Sequence, residues 1–167
     1  MSDRVVRIES MTPDDWPAVR AIYEEGIATG HGTFETTAPS WEQWNAARLP
    51  HSRLVARADT VLGWVALSPV SQRACYRGVA EVGFYVTASS RGRGVGRALL
   101  EALIVSAEAN GIWTIQGATF RENLASLGLM RRCGFREIGY RERVGRHHGV
   151  WRDTILMERR SVIVGVD

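Results

Sequence analysis

The chain has 167 residues, long enough for one domain, 1–167, that buries a core without covalent staples. Hydrophobic residues make up 45% and charged residues 23%, and no apolar run approaches the roughly eighteen residues a bilayer crossing needs, so no membrane span is expected. The net charge of +3 conceals that all 21 basic residues are arginine. Without a lysine, neither a Walker-type nucleotide loop nor Schiff-base catalysis can operate.

Residues 4–9, "RVVRIE", read as a first strand. "TPDDWPAVRAIYEEGIA" reads as a helix with Thr12 as N-cap, Pro13 at the first helical position and Asp15 completing a capping box. "GHGTFETTAP" is a loop by composition and carries His31, Phe34 and Glu35. Ser40, Trp41, Glu42 and Gln43 form a second box that opens a shorter helix ending before Pro50. "SRLVARA" and "TVLGWVALS", meeting around Ala58 and Asp59, read as an antiparallel hairpin, and "VAEVGFYV" as a further strand. From Gly94 apolar residues recur with helical period until Asn110 and Gly111. "IWTIQGA" follows as a strand, residues 123–133 as a helix, and "REIGYRERV" and "VWRDTILMER" as two closing strands. The tail "SVIVGVD" reads either as a partner surface or as a frayed strand. This order gives an α+β domain with a largely antiparallel sheet.

The N-terminus has no charged segment followed by a long apolar one, so it does not read as a secretory signal, and a cytoplasmic location is expected. Cys75 and Cys133 stand in no metal-ligand spacing; no metal site and no disulfide framework are expected.

The junction "SRGRGVGR", residues 90–97, stands between a strand and a helix. Gly92, Gly94 and Gly96 let backbone N–H groups converge, the helix N-terminus favours negative charge, and Arg91, Arg93 and Arg97 add charged donors. Phosphate is the natural guest of such a turn. A dinucleotide fingerprint needs G-x-G-x-x-G, and Arg97 stands where its third glycine belongs, so that reading fails on spacing. A tight turn with solvated arginines is the plainer alternative.

Arg91-x-x-Gly94-x-Gly96 after a strand resembles the acetyl-coenzyme A signature of the GNAT superfamily of N-acetyltransferases. "ENLASLGLMRRCGF" is similar to the later segment of that family in which an asparagine opens a helix ending in Gly-Phe. Within the superfamily, "GTFET", "RACYRGVAEVGFYV" and "VGRHHGVWRDTILMER" resemble the phosphinothricin acetyltransferase group, and the last two resemble its arsinothricin-acetylating branch most. The resemblance implies a GNAT-like fold, a mixed and largely antiparallel central sheet flanked by helices. It further implies acetyl-coenzyme A as cosubstrate and a homodimer. The reaction implied is acetyl transfer to the α-amine of a glutamate-like antibiotic, with methionine sulfone and sulfoximine as related acceptors.

Amine acetylation needs a deprotonated amine, a polarised thioester carbonyl and their alignment. Glu81, a lone charge in the apolar run "VAEVGFYV", is the candidate general base, with a solvent-facing edge glutamate as the plainer alternative. By the resemblance, Phe84, Tyr85 and Val86 line the acetyl-pantetheine arm. Arg91, Gly92, Arg93, Gly94, Val95, Gly96 and Arg97 hold the pyrophosphate. Asn123 contacts the arm or the adenylate while also serving as a helix N-cap. Phe34 and Glu35 close the acceptor pocket, and Arg73, Tyr76 and Arg77 anchor the acceptor's anionic group. His148 aligns with a histidine considered catalytic in the phosphinothricin group and competes with Glu81 as base. Met130 stands where many superfamily members carry a tyrosine acid. His147 reads as exposed; His31 and His51 have no identifiable partners.

Two other classes are weighed against this. A polyamine or aminoglycoside pocket needs several carboxylates, and the first loop and the segment before Glu81 offer more arginine than acid; a protein N-terminus stays open as an acceptor. Nucleic acid is not expected, because basic residues are interleaved with acids and no helix-turn-helix or stacking motif accompanies them. A catalytically silent coenzyme sensor is permitted by Met130 and opposed by Glu81.

Overall fold

The computed structural model of the chain describes residues 5–167. Arg4, the start of the expected first strand, lies outside them. Strands β1 (Arg7–Ser10), β2 (Leu54–Arg57), β3 (Val61–Pro69), β4 (Val79–Val86), β5 (Thr114–Phe120), β6 (Arg136–His147) and β7 (Val150–Arg160) form one sheet in the order β1-β2-β3-β4-β5-β7-β6. Every neighbouring pair is antiparallel except β4 and β5. Four helices accompany it: α1 (Trp16–Ala28), α2 (Trp41–Ala47), α3 (Val95–Ala109) and α4 (Leu124–Arg132). The architecture is α+β with a mixed sheet, and no helix among the described residues is long and apolar enough to cross a membrane.

Both capping sequences act, though differently. Ser40 Oγ accepts from the Gln43 N–H, and Gln43 Oε1 accepts from the Ser40 N–H, which opens α2 as expected. At the first box the Asp15 carboxylate accepts from the N–H and hydroxyl of Thr12, but residues 13–15 make a 3₁₀ turn and α1 begins only at Trp16. Pro17 explains the shift. It has no N–H to give to the carbonyl four residues earlier, so an α-helix tolerates it only in the first turn.

Side-chain alternation along the sheet divides the core in two. Val65, Leu67 and Ala80 face α3, packing on Leu99, Leu100 and Leu103, each fully buried and each contributing roughly 1.5–3 kcal/mol. Trp64 and Ala66 point the other way, against Val19, Ile22 and Tyr23 of α1 and Trp44 of α2. Because β3 is covered on both sides, it reads as a near-continuous apolar run.

The parallel pair β4 and β5 is joined only at Val79 with Thr114, Ala80 with Ile115 and Glu81 with Gln116. Beyond Glu81 each strand follows its own antiparallel partner, β4 with β3 and β5 with β7, and the sheet opens. Gly117 marks the split on the α4 side: a Cβ there would lie 2.5 Å from the terminal methyl of Met130. Met130 is buried core, not a cleft residue.

Two tail-end expectations change. β6 advances from Arg141 to Gly145 while β7 moves only from Thr154 to Arg152, a bulge in which Arg143 has φ 46°. The bulge re-aims the end of β6, so His147, expected to be exposed, is buried against Phe34 and Phe120, with ring centroids 6.2 and 5.8 Å away. After β7 the chain does not continue as a strand. The Arg160 guanidinium gathers the carbonyls of Ser161, Val164 and Gly165 into an irregular turn.

Candidate active site

The opening between β4 and β5 connects two cavities. The larger, about 480 Å³, runs from Phe84, Tyr85 and Val86 over the turn at residues 90–97 to Asn123, Leu129 and Arg132 of α4 and its cap. The smaller, about 300 Å³, is walled by Tyr23, Phe34, Glu35, Arg48, Glu81, Phe120 and Thr154. Gly32, Phe84, Tyr85 and Ser126 line both, so the cavities meet there.

The three glycines of the turn serve different needs. Gly92 and Gly94 have φ of 72° and 80°, where an L side chain is strained, yet a Cβ at either would meet nothing within 4 Å. Their backbone shape is what matters: it leaves Gly94 as the N-cap of α3 with no side chain over the helix's free N–H groups. Gly96 is tight for space, since a Cβ there would lie 2.9 Å from a terminal methyl of Leu129 and oblige that side chain to shift. Arg91, Arg97 and Arg132 line this cavity and no carboxylate does. Arg97 is held by Glu101 at 2.7 Å, and Arg91 donates to the Val86 carbonyl at 3.2 Å. Glu25 anchors the turn to α1 by accepting from the Ala88 N–H and the Thr87 hydroxyl. Val95 turns into the core, so only its backbone can serve the turn, and Arg93 is exposed outside the cavity lining.

Asn123 does two things at once. Its Oδ1 caps α4 by accepting from the Ser126 N–H, and its Nδ2 donates to the His31 carbonyl, tying α4 to the loop that follows α1. That loop is tied again by Arg152, which lies over the Phe120 ring and donates to the Gly30 carbonyl and Glu122. Arg152 is also the partner of His31, and His51 joins Ser52 and Ser106.

In the smaller cavity Trp64, Ser68, Glu81, Gly83 and Tyr85 share the face of the sheet that α1 and α2 cover, by the β3–β4 register. Glu81 is exposed to the cavity and accepts from Gln116 at 3.4 Å. Tyr85 stacks against Tyr23 and Trp64, and its hydroxyl donates to the Gly32 carbonyl. Burial pushes both phenols above their ordinary pKa; for Tyr85 the Tyr23 phenol adds to this, while Arg48 opposes the rise in both. Of the two candidate bases, Glu81 lines a cavity, whereas His148 lies exposed at the tip of the β6–β7 hairpin with φ 48°. Arg73, Tyr76 and Arg77 are exposed before β4 and line neither cavity; Arg73 lies over Tyr76 and Arg77 over Trp113.

The acetyltransferase (GNAT) family model matches residues 14–135, which span the four helices described above and the glycine turn. The chain belongs to the GNAT family of acetyltransferases. A phosphinothricin N-acetyltransferase of Alcaligenes faecalis is 38% identical to it over 166 residues, covering 93% of this chain and 80% of the relative. An L-methionine sulfoximine/L-methionine sulfone acetyltransferase of Pseudomonas aeruginosa is 33% identical over 151 residues, with 86% of this chain and 88% of that protein covered. A crystal structure of a GNAT superfamily phosphinothricin acetyltransferase from Sinorhizobium meliloti in complex with AcCoA matches with a TM-score of 0.87 at 26% identity, covering 97% of this chain and 91% of that one.

Sequence reasoning did not find every wall of this GNAT acetyltransferase's cleft. Tyr23, Arg48, Ser126, Arg132 and Thr154 line it, and only Tyr23 carries a local signal. The one usable hint was period: Tyr23 falls on the apolar stripe of α1 with Val19 and Ile22, where a hydroxyl among aliphatic neighbours points to an occupied polar site.

Proposed function

We propose that this acetyltransferase moves the acetyl group of acetyl-coenzyme A directly to the α-amine of a small anionic amino acid of the phosphinothricin, arsinothricin or methionine sulfone and sulfoximine type, in the cytoplasm. The observation that carries the reading is the junction of the two cavities at Phe84, Tyr85 and Ser126, with Glu81 on the same strand.

The larger cavity's residues fit the coenzyme's pyrophosphate. The uncapped N-terminus of α3, the open space over Gly92 and Gly94, and Arg91, Arg97 and Arg132 without a carboxylate among them make an anion cradle. When bound, acetyl-coenzyme A supplies an acetyl thioester. Beyond Glu81 the edge of β4 has no strand partner on the β5 side, so its alternate backbone N–H groups are free to polarise a carbonyl oxygen in the gap. Glu81 takes the proton of the acceptor's ammonium, directly or through water, and leaves the amine lone pair for attack. Met130 is buried and cannot act as an acid; Ser126, at the junction, is the hydroxyl placed to hydrogen-bond a departing thiolate. Arg73, Tyr76 and Arg77 line neither cavity of their own chain, so in this reading they serve the acceptor from a second copy, as part of a homodimer.

Thiol release from acetyl-coenzyme A tests the reading. Purified protein is offered phosphinothricin, arsinothricin, methionine sulfone, methionine sulfoximine, spermidine and an N-terminal peptide. Saturable release with one of the first four and none with spermidine is expected. Turnover confined to the peptide or spermidine would overturn the acceptor assignment.

A further inference from the structure

The smaller cavity contains a cation that forms no ion pair among the described residues. Arg48 follows the last turn of α2, and its guanidinium rests on two indoles, 5.6 Å from the Trp44 ring and 5.9 Å from that of Trp64. Nη1 donates to the Ser68 hydroxyl, while Nε is buried with no hydrogen-bond partner. Nη2 lies 4.0 Å from where a Cβ of Gly83 would stand, so the head of the side chain hangs over β4, on the face that also carries Glu81.

A neighbouring arginine on the same ring shows what a purely structural guanidinium looks like. Arg53 lies 5.4 Å from the Trp44 ring, and its nitrogens donate to the carbonyls of Leu49, Asn45 and Arg48 and to the Asn45 side chain. Arg48 has no such set. Among the described residues no carboxylate comes within ion-pair distance of it, although Glu35 and Glu81 line the same cavity. Guanidinium is always charged, and a half-buried charge with free donors is unfavourable unless something occupies them. Arg53 adds a second positive charge nearby, which an anion would offset.

We infer that Arg48 binds the anionic group of the acceptor, placing it over Gly83 while the amine faces Glu81, and so selects acidic amino acids over cationic amines. This rests on the transfer reading above. A guanidinium fork suits either oxyanion such an acceptor carries, the α-carboxylate or a side-chain phosphinate or arsinate.

The test uses the full chain with Arg48→Met, which keeps an apolar stem against the indoles, and Arg48→Lys, which keeps the charge without the fork. Arg48→Met should raise the acceptor KM roughly 10- to 100-fold, while the KM for acetyl-coenzyme A changes less than about twofold. Arg48→Lys should recover part of the loss. Equal losses for phosphinothricin and methionine sulfone would place the α-carboxylate on Arg48; a loss confined to phosphinothricin would place the phosphinate there. Unchanged acceptor KM in Arg48→Met, or a rise in the acetyl-coenzyme A KM as large as that in the acceptor KM, overturns the inference. Calorimetric titration of phosphinothricin without acetyl-coenzyme A separates the two layers. Binding by the wild type that Arg48→Met loses, in a protein that transfers no acetyl group, would keep the anion site and remove the reaction; no binding and no turnover would remove both.

Discussion

Of the two cavities that join at Phe84, Tyr85 and Ser126, the larger takes its walls mainly from residues 84–97 and 123–132, whereas the smaller gathers Tyr23, Phe34, Arg48, Glu81, Phe120 and Thr154 from separate elements. The larger uses backbone: a left-handed turn, an open helix N-terminus and a bare Gly96 against the Leu129 side chain of α4. The smaller uses side chains that meet because the sheet splits after Glu81. A backbone site is robust to side-chain exchange and sensitive to Cβ atoms; a side-chain site behaves the other way round. Substitutions should therefore divide cleanly between the kinetics of the two substrates.

The largest effect is expected at Glu81. Glu81→Gln should lower kcat about 100- to 10,000-fold while leaving calorimetric binding of acetyl-coenzyme A unchanged. Full turnover across pH in that variant, with loss in His148→Ala instead, would move the base to the hairpin tip. Next comes the backbone cavity. Gly96→Leu should raise the acetyl-coenzyme A KM about tenfold or more, because overpacking against Leu129 costs about 1–3 kcal/mol. An equal rise in the acceptor KM would show that the two cavities are not separable, and the comparison would fail.

The difference between the cavities is also a difference in what the sequence could reveal. Residues 90–97 declare themselves because a glycine turn before an amphipathic helix is a local pattern with a local physical meaning. The Ser40 and Gln43 box and the Asn123 cap are readable for the same reason. Arg48 carries no such pattern, and Tyr23 only a place on the apolar stripe of α1; they matter because β3 and β4 bring Ser68, Glu81 and Gly83 beneath α1 and α2, a relation set by register. His147 reads as exposed because the strand pattern "REIGYRERV" ends at Val144, whereas β6 runs on past the bulge at residues 142–144 to His147. Pro13 alone places the α1 start three residues early; Pro17, which also needs the first turn, moves it to Trp16.

Asn123→Ala should cost about 1 kcal/mol of stability through the lost cap, and it also frees the His31 carbonyl tether between the cavities. Urea denaturation reads the first effect and both KM values the second. A KM change on one side alone would mean that the tether serves only that cavity.

A smaller, pH-dependent effect is expected at His147. Its Nε2 is buried without a partner. Burial first, then His148, Arg152 and His31, hold its pKa below the ordinary histidine value. The folded protein thus binds this proton less readily than the unfolded chain does. The stability involved is complete above the ordinary value of about 6.5 and is lost as the pH falls through the folded value. Urea midpoints of the wild type should fall more steeply from about pH 7.5 to about pH 5 than those of His147→Phe. Parallel profiles would show that the histidine behind Phe34 does not carry this dependence.

The smallest effect tests the comparison most finely, because it concerns a side chain in the backbone cavity. Arg97 lines the larger cavity and pairs with Glu101 one turn along α3, both more than half exposed. An exposed pair of this spacing contributes only about 0.3–0.5 kcal/mol, so Glu101→Gln should scarcely move the urea midpoint. It does release the guanidinium from its pairing along α3. If backbone amides supply most of the anion binding, the acetyl-coenzyme A KM should rise no more than about threefold, and added salt should erase the difference by screening the remaining charge. A rise beyond about tenfold that salt leaves intact would mean that this cavity, like its neighbour, depends on how one arginine is held.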